Sequence, residues 1–140
     1  MLIEIIIAIG LCLIAVYDII YKKIPLFMIA LLLGVGVVGI VIEKEPVFYL
    51  ILAGAAVGLV FLIISKVTRE ALGYGDSLLI LVLGIHLGFW KIMILAFIAF
   101  FVAAIVATLA IIIKKKGRKA SIPFGPFIAL SYAIVVFLGV

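Results

Sequence analysis

Charge is scarce in this sequence. Only 12% of its 140 residues are Asp, Glu, Lys or Arg, and 71% are hydrophobic. A soluble domain carries about a quarter charged residues and roughly half apolar ones, so a water-soluble fold is excluded. One cysteine, Cys12, leaves no disulfide framework and no paired-cysteine zinc site. One histidine, His86, leaves little for metal chemistry. The formal charge of +5 invites a nucleic-acid partner, but the basic residues fall in short clusters between long apolar runs. That is how a membrane protein sets its orientation, and it argues against nucleic acid.

What the chain has is apolar length. A membrane-crossing helix needs about 20 residues, so six would use roughly 120 and leave only short loops. The interruptions divide the chain at 2–21, 25–42, 46–65, 71–89, 92–113 and 122–140. The expectation is an all-α polytopic membrane protein, one domain over 1–140, built as a bundle of six transmembrane helices. Residues 1–16 have no basic start and carry Glu4, so they read as a permanent first span. Pro25 ends the first span, since proline disfavours helix at the residue before it. Trp90-Lys91 reads as a minimal turn between the fourth and fifth.

The loop charges orient the bundle. Loops one, three and five hold nine basic residues (Lys22, Lys23, Lys66, Arg69, Lys114, Lys115, Lys116, Arg118 and Lys119), whereas loops two and four hold only Lys44 and Lys91. This places the odd loops in the cytoplasm and both termini outside. Gly54 with Gly58, and Gly84 with Gly88, fit the small-xxx-small pattern that lets helices approach closely.

Six acidic residues remain to be placed. Glu43 and Glu45 fall in an outer loop, Glu70 in an inner loop, and Glu4 near the outer end of span one. Asp18 and Asp76 differ, because both sit in apolar segments near the cytoplasmic end. Ionisable residues in such segments are costly and mark function by default. Two bland alternatives stand beside this. Asp76 could cap its helix after Gly73-Tyr74-Gly75, and Asp18 could pair with Lys22 four residues on. If the two carboxyls meet, they share a proton and titrate as a unit. One then takes a proton from water as that water attacks a carbonyl, and the other protonates the carbonyl oxygen.

Three motifs now stand in order: Asp18 followed by Ile24-Pro25, then Gly73-Tyr74-Gly75-Asp76, then Ile122-Pro123-Phe124-Gly125-Pro126-Phe127. Together they resemble the type IV prepilin peptidases, including the archaeal preflagellin peptidases, which are GxGD-type aspartic proteases of the membrane. The resemblance covers essentially the whole chain. It implies that Asp18 and Asp76 are the catalytic dyad, with Gly73, Tyr74, Gly75, Pro123, Gly125 and Pro126 shaping the site. It implies prepilin-like precursors as partners, with a short basic leader before a hydrophobic helix, cut at the cytoplasmic face of the cell membrane. Such hydrolysis needs no metal or organic cofactor.

The sequence also departs from the family. Many bacterial members have Asn after the Ile-Pro and Lys two residues after the GxGD aspartate, where this chain has Leu26 and Leu78. The cysteine-rich cytoplasmic insertion that larger members carry, linked to N-methylation of the cleaved product, has no counterpart among these short loops. The expectation is therefore cleavage without methylation. Glu70 could offset the basic loops that would face a basic leader. Tyr17 and Tyr74 could donate hydrogen bonds to the aspartates, whereas His86 lies at the wrong end of its span for catalysis. A small proton-coupled transporter using Asp18 and Asp76 is the competing reading. It predicts polar residues near mid-membrane and repeated halves, and neither is seen. The sequence is silent on oligomeric state.

Overall fold

The computed structural model describes residues 1–42, 48–69, 73–114 and 122–139. The described residues form six helices: α1 (Leu2–Tyr21), α2 (Leu26–Ile42), α3 (Phe48–Val67), α4 (Tyr74–Leu87), α5 (Phe89–Lys114) and α6 (Gly125–Phe137). Among them there is no strand. Three helices, Leu2–Tyr21, Phe48–Val67 and Phe89–Ile113, are long and apolar enough to cross a membrane by length and composition. The other three are also apolar but have 17, 14 and 13 residues. At 1.5 Å per residue, α4 and α6 reach only about 20 Å.

Helix boundaries follow from local chemistry. α1 stops where Lys22 turns left-handed at φ 54°, its N–H bonded to the Asp18 carbonyl at 2.7 Å. The break between α4 and α5 lies at Gly88, not at Trp90-Lys91 as the charge pattern suggested. Gly88 takes φ +81° and closes α4 through a 2.9 Å bond from its N–H to the Gly84 carbonyl. Glycine enters that conformation without steric cost, so Trp90 and Lys91 are left inside α5.

The helices pack as a ring in the order α1, α2, α4, α3, α5, α6 and back to α1, with α4 also touching α5. α4 is the most enclosed, burying Ser77, Leu79, Ile80, Val82, Leu83 and Gly84. Ile7, Leu11 and Ile14 of α1 meet this core from one side, and Ile128, Tyr132 and Val135 of α6 from another. Outward positions are as apolar as inward ones: Leu52, Phe97 and Ile113 are all exposed. A helix that is apolar all round belongs in a large core or in lipid, and this chain is too small to bury six of them.

The closest backbone approach joins α3 to α4. A Cβ on Gly54 would run into the Gly84 carbonyl, and one on Gly84 into the Gly54 carbonyl. The two small-residue motifs of the sequence thus meet through Gly54 and Gly84, while Gly58 lies against Leu81 and Gly88 against Leu50. Ser77 adds to the same seam, its hydroxyl lying 3.2 Å from the Phe61 carbonyl and 3.1 Å from that of Gly73.

Candidate active site

Asp18 lies in the last turn of α1 and is 5% exposed. Asp76 lies in the first turn of α4. α1 does not run along α4; it packs against α2 and α6. The two aspartates are brought together by helix ends instead. Ile24, just beyond α1, sits against Gly75, whose added Cβ would come 3.1 Å from the Ile24 Cβ. Asp18 and Asp76 are close enough for their charges to interact. Both carboxyls therefore occupy one end of the bundle.

Neither bland alternative describes the geometry. The N-cap of α4 is Gly73, with no side-chain cap, and Asp76 is three residues further on. Asp18 and Lys22 form no ion pair; the 2.7 Å bond between them is main-chain to main-chain. Asp18 instead accepts a buried 2.8 Å hydrogen bond at Oδ2 from the main-chain N–H of Gly125. Asp76 Oδ1 is buried with no hydrogen-bond partner. Its Oδ2 lies where a side chain on Gly73 would go, 2.6 Å from a Cβ built there.

The Pro-Phe-Gly-Pro segment explains how α6 reaches Asp18. Phe124 is the N-cap, Gly125 the first helical residue, and Pro126 follows it. A proline at a helix start gives up an N–H that had no partner there and presets the backbone. Gly125 is the necessary neighbour, since any Cβ there would sit 2.9 Å from Asp18 Oδ2 and 3.2 Å from its Cβ. Phe124 is braced by rings, at 4.9 Å between centroids from Phe100, which in turn stacks on Phe61 at 5.4 Å. This brace and the Asp18–Gly125 bond were not anticipated from sequence, although the glycine between two prolines was the signal for them.

Other expected site residues fall differently. Tyr17 packs against Tyr21 in a tilted pair with ring centroids 4.5 Å apart, and Tyr74 is half exposed. Neither donates a hydrogen bond to an aspartate. His86 lies away from Asp18 and Asp76, its ring against Gly36 and Gly39 of α2, in a cavity of about 400 Å³ shared with Glu4. Leu26 is exposed at the start of α2. Glu70 and the basic residues Lys115 to Lys119 lie outside the described residues. Among the described residues no cluster of three His, Cys, Asp or Glu could hold a metal ion.

Comparison with known proteins bears on this site. A model of the type IV leader peptidase family matches residues 5–108, which include both aspartates. Among curated proteins, a prepilin leader peptidase/N-methyltransferase of Xanthomonas campestris pv. campestris is 30% identical over 132 residues, covering 87% of this chain and 45% of that protein. One of the same name from Legionella pneumophila is 30% identical over 119 residues, covering 79% and 42%. The chain thus spans less than half the length of these relatives. No solved structure matches it.

Proposed function

The chain belongs to the type IV leader peptidase family, and from that premise we propose that it is a membrane aspartic endopeptidase acting through Asp18 and Asp76. Its substrates are prepilin-like precursors (pilins, archaellins or pseudopilins) that carry a short basic leader before a hydrophobic helix. The observation that carries this reading is the placement of the two aspartates at one end of the bundle, on helix ends that approach through Ile24 and Gly75. In a chain with two aspartates in all, both fall at this one site.

The chemistry needs one carboxylate and one carboxyl. The carboxylate takes a proton from water, whose oxygen bonds to the scissile carbonyl carbon. The carboxyl gives its proton to the carbonyl oxygen, leaving a gem-diol. When the C–N bond breaks, the first residue returns its proton to the departing amine, and the second recovers one from a gem-diol hydroxyl. Products are an acid and an amine, and the dyad ends as it began.

In the arrangement we propose, all six helices belong to the membrane-embedded bundle. The termini lie outside and the dyad lies at the cytoplasmic face. The count of basic residues in alternating loops supports this orientation. Short internal connections and a single cysteine support cleavage without N-methylation.

A cleavage assay in membranes tests the reading, with precursors carrying basic leaders and with wild type beside Asp18→Asn and Asp76→Asn. Wild type is expected to shorten a precursor at the leader boundary, and both variants to fail while remaining folded. Full activity in either variant would sink the two-aspartate mechanism. Mass spectrometry of the new N-terminus reads methylation in the same experiment, and an added methyl group would refute cleavage alone.

A further inference from the structure

We propose that the main-chain N–H of Gly125 is a positioning group that holds Asp18 as the water-activating base of the dyad, leaving Asp76 as the proton donor. This rests on the proposed peptidase reading and deepens it. The segment concerned, 122–127, lies beyond the family match, which ends at residue 108.

A helix begins with main-chain N–H groups that have no partner within it, and every one at the start of α6 can be accounted for. Pro126 has none. Phe127 and Ile128 donate to the Phe124 carbonyl at 3.0 and 3.3 Å. Gly125 alone gives its N–H away from the helix, to Asp18 Oδ2 at 2.8 Å. The donor is aimed by the flanking proline and by the ring of Phe124 against Phe100.

Asp76 has no such donor. Its Oδ1 is buried without a partner, and it does not cap its own helix. An unpaired buried charge is far more costly than an unpaired buried neutral group. One carboxyl in the pair is thus built to be a carboxylate and the other to keep its proton. In the hydrolytic cycle Asp18 takes the proton of the attacking water, and Asp76 gives its own to the carbonyl oxygen. When the C–N bond breaks, Asp18 gives its proton to the departing amine and Asp76 recovers one from a gem-diol hydroxyl.

The test replaces the amide between residues 124 and 125 by an ester, which removes the N–H and adds no bulk. A second ester at Leu130, exposed and mid-helix, weakens α6 without touching Asp18. The ester at 125 is expected to lower kcat roughly 10- to 100-fold with KM little changed, as befits a hydrogen bond to a charged group. The ester at 130 is expected to leave kcat within about twofold. Equal losses in both would overturn the proposal in favour of a structural role.

Carbon-13 labelling of the aspartate carboxyls supplies a readout besides activity. With two aspartates in the chain, it gives two carboxyl resonances, assigned through Asp76→Asn. Near neutral pH the Asp18 signal should sit at the carboxylate position and the Asp76 signal at the carboxyl position. The ester at 125 should move the first and not the second. The reverse assignment, or no movement, refutes the proposal even where wild type cleaves its precursor. Absence of cleavage by wild type would instead strike the peptidase reading itself.

Discussion

Gly125 and Asp18 are separated by 107 positions in the chain and joined by one hydrogen bond of 2.8 Å from the glycine N–H to the carboxylate Oδ2. The bond ties the N-terminus of α6 to the last turn of α1. It gives the Pro-Phe-Gly-Pro segment a physical purpose that a generic helix start lacks.

This bond separates two kinds of substitution at Asp18. Asp18→Asn keeps an oxygen able to accept from Gly125, so it should abolish cleavage while leaving stability within about 1 kcal/mol. Asp18→Leu strands the buried Gly125 N–H and should cost about 1–3 kcal/mol. Thermal unfolding in detergent, run beside the cleavage assay, should therefore rank Leu below Asn although both are inactive. Equal stability would mean that the bond contributes nothing to the fold.

At the α3–α4 seam, Gly54→Ala and Gly84→Ala should each destabilise by about 1–3 kcal/mol or more, because the added methyl meets main-chain atoms that cannot rotate away. Gly34→Ala serves as the control, since nothing lies within 4 Å of a Cβ there. The unfolding temperatures of the three variants decide it. A seam variant as stable as the control would show that the helices can separate freely.

Phe124→Ala should loosen the N-terminus of α6. It loses the ring contact with Phe100 at 4.9 Å, worth about 0.5–1.5 kcal/mol beyond the buried area. The expected signature is a fall in kcat larger than any change in KM, with partial recovery in Phe124→Tyr. Activity that tracks only the amount of folded protein would argue that the brace has no bearing on Asp18.

Orientation can be read with thiol reagents in a Cys12→Ser background. Lys23→Cys lies at the dyad end, and Lys91→Cys at the start of α5, beyond the opposite end of α4. An impermeant reagent added outside intact cells should label the second and spare the first. The opposite pattern would invert the proposed topology and move the dyad to the outer face.

Much of the molecule was legible in the chain itself. The long apolar runs required helices, because backbone polar groups away from water must be satisfied within the segment. α1 and α2 end within a residue or so of where charge and proline placed the breaks. Gly88 was harder to see. Its turn depends on a backbone angle, not on polarity, so the charged Lys91 drew attention three residues too far along.

Asp18 and Asp76 stood out on composition alone, since a carboxyl in an apolar segment needs a reason to be there. Only the tertiary structure decided how they meet. The sequence left open whether the spans carrying them are neighbours; α1 and α4 approach through Ile24 and Gly75 at their ends. The facing of Gly54 with Gly84, the ring brace on Phe124 and the Gly125 bond to Asp18 were likewise invisible. Hydropathy and motif order are properties of the linear chain, and they determined the helices and singled out the two acids as candidates. Which donor reaches which carboxyl depends on the packing of helices far apart in sequence, and no spacing within the chain encodes it.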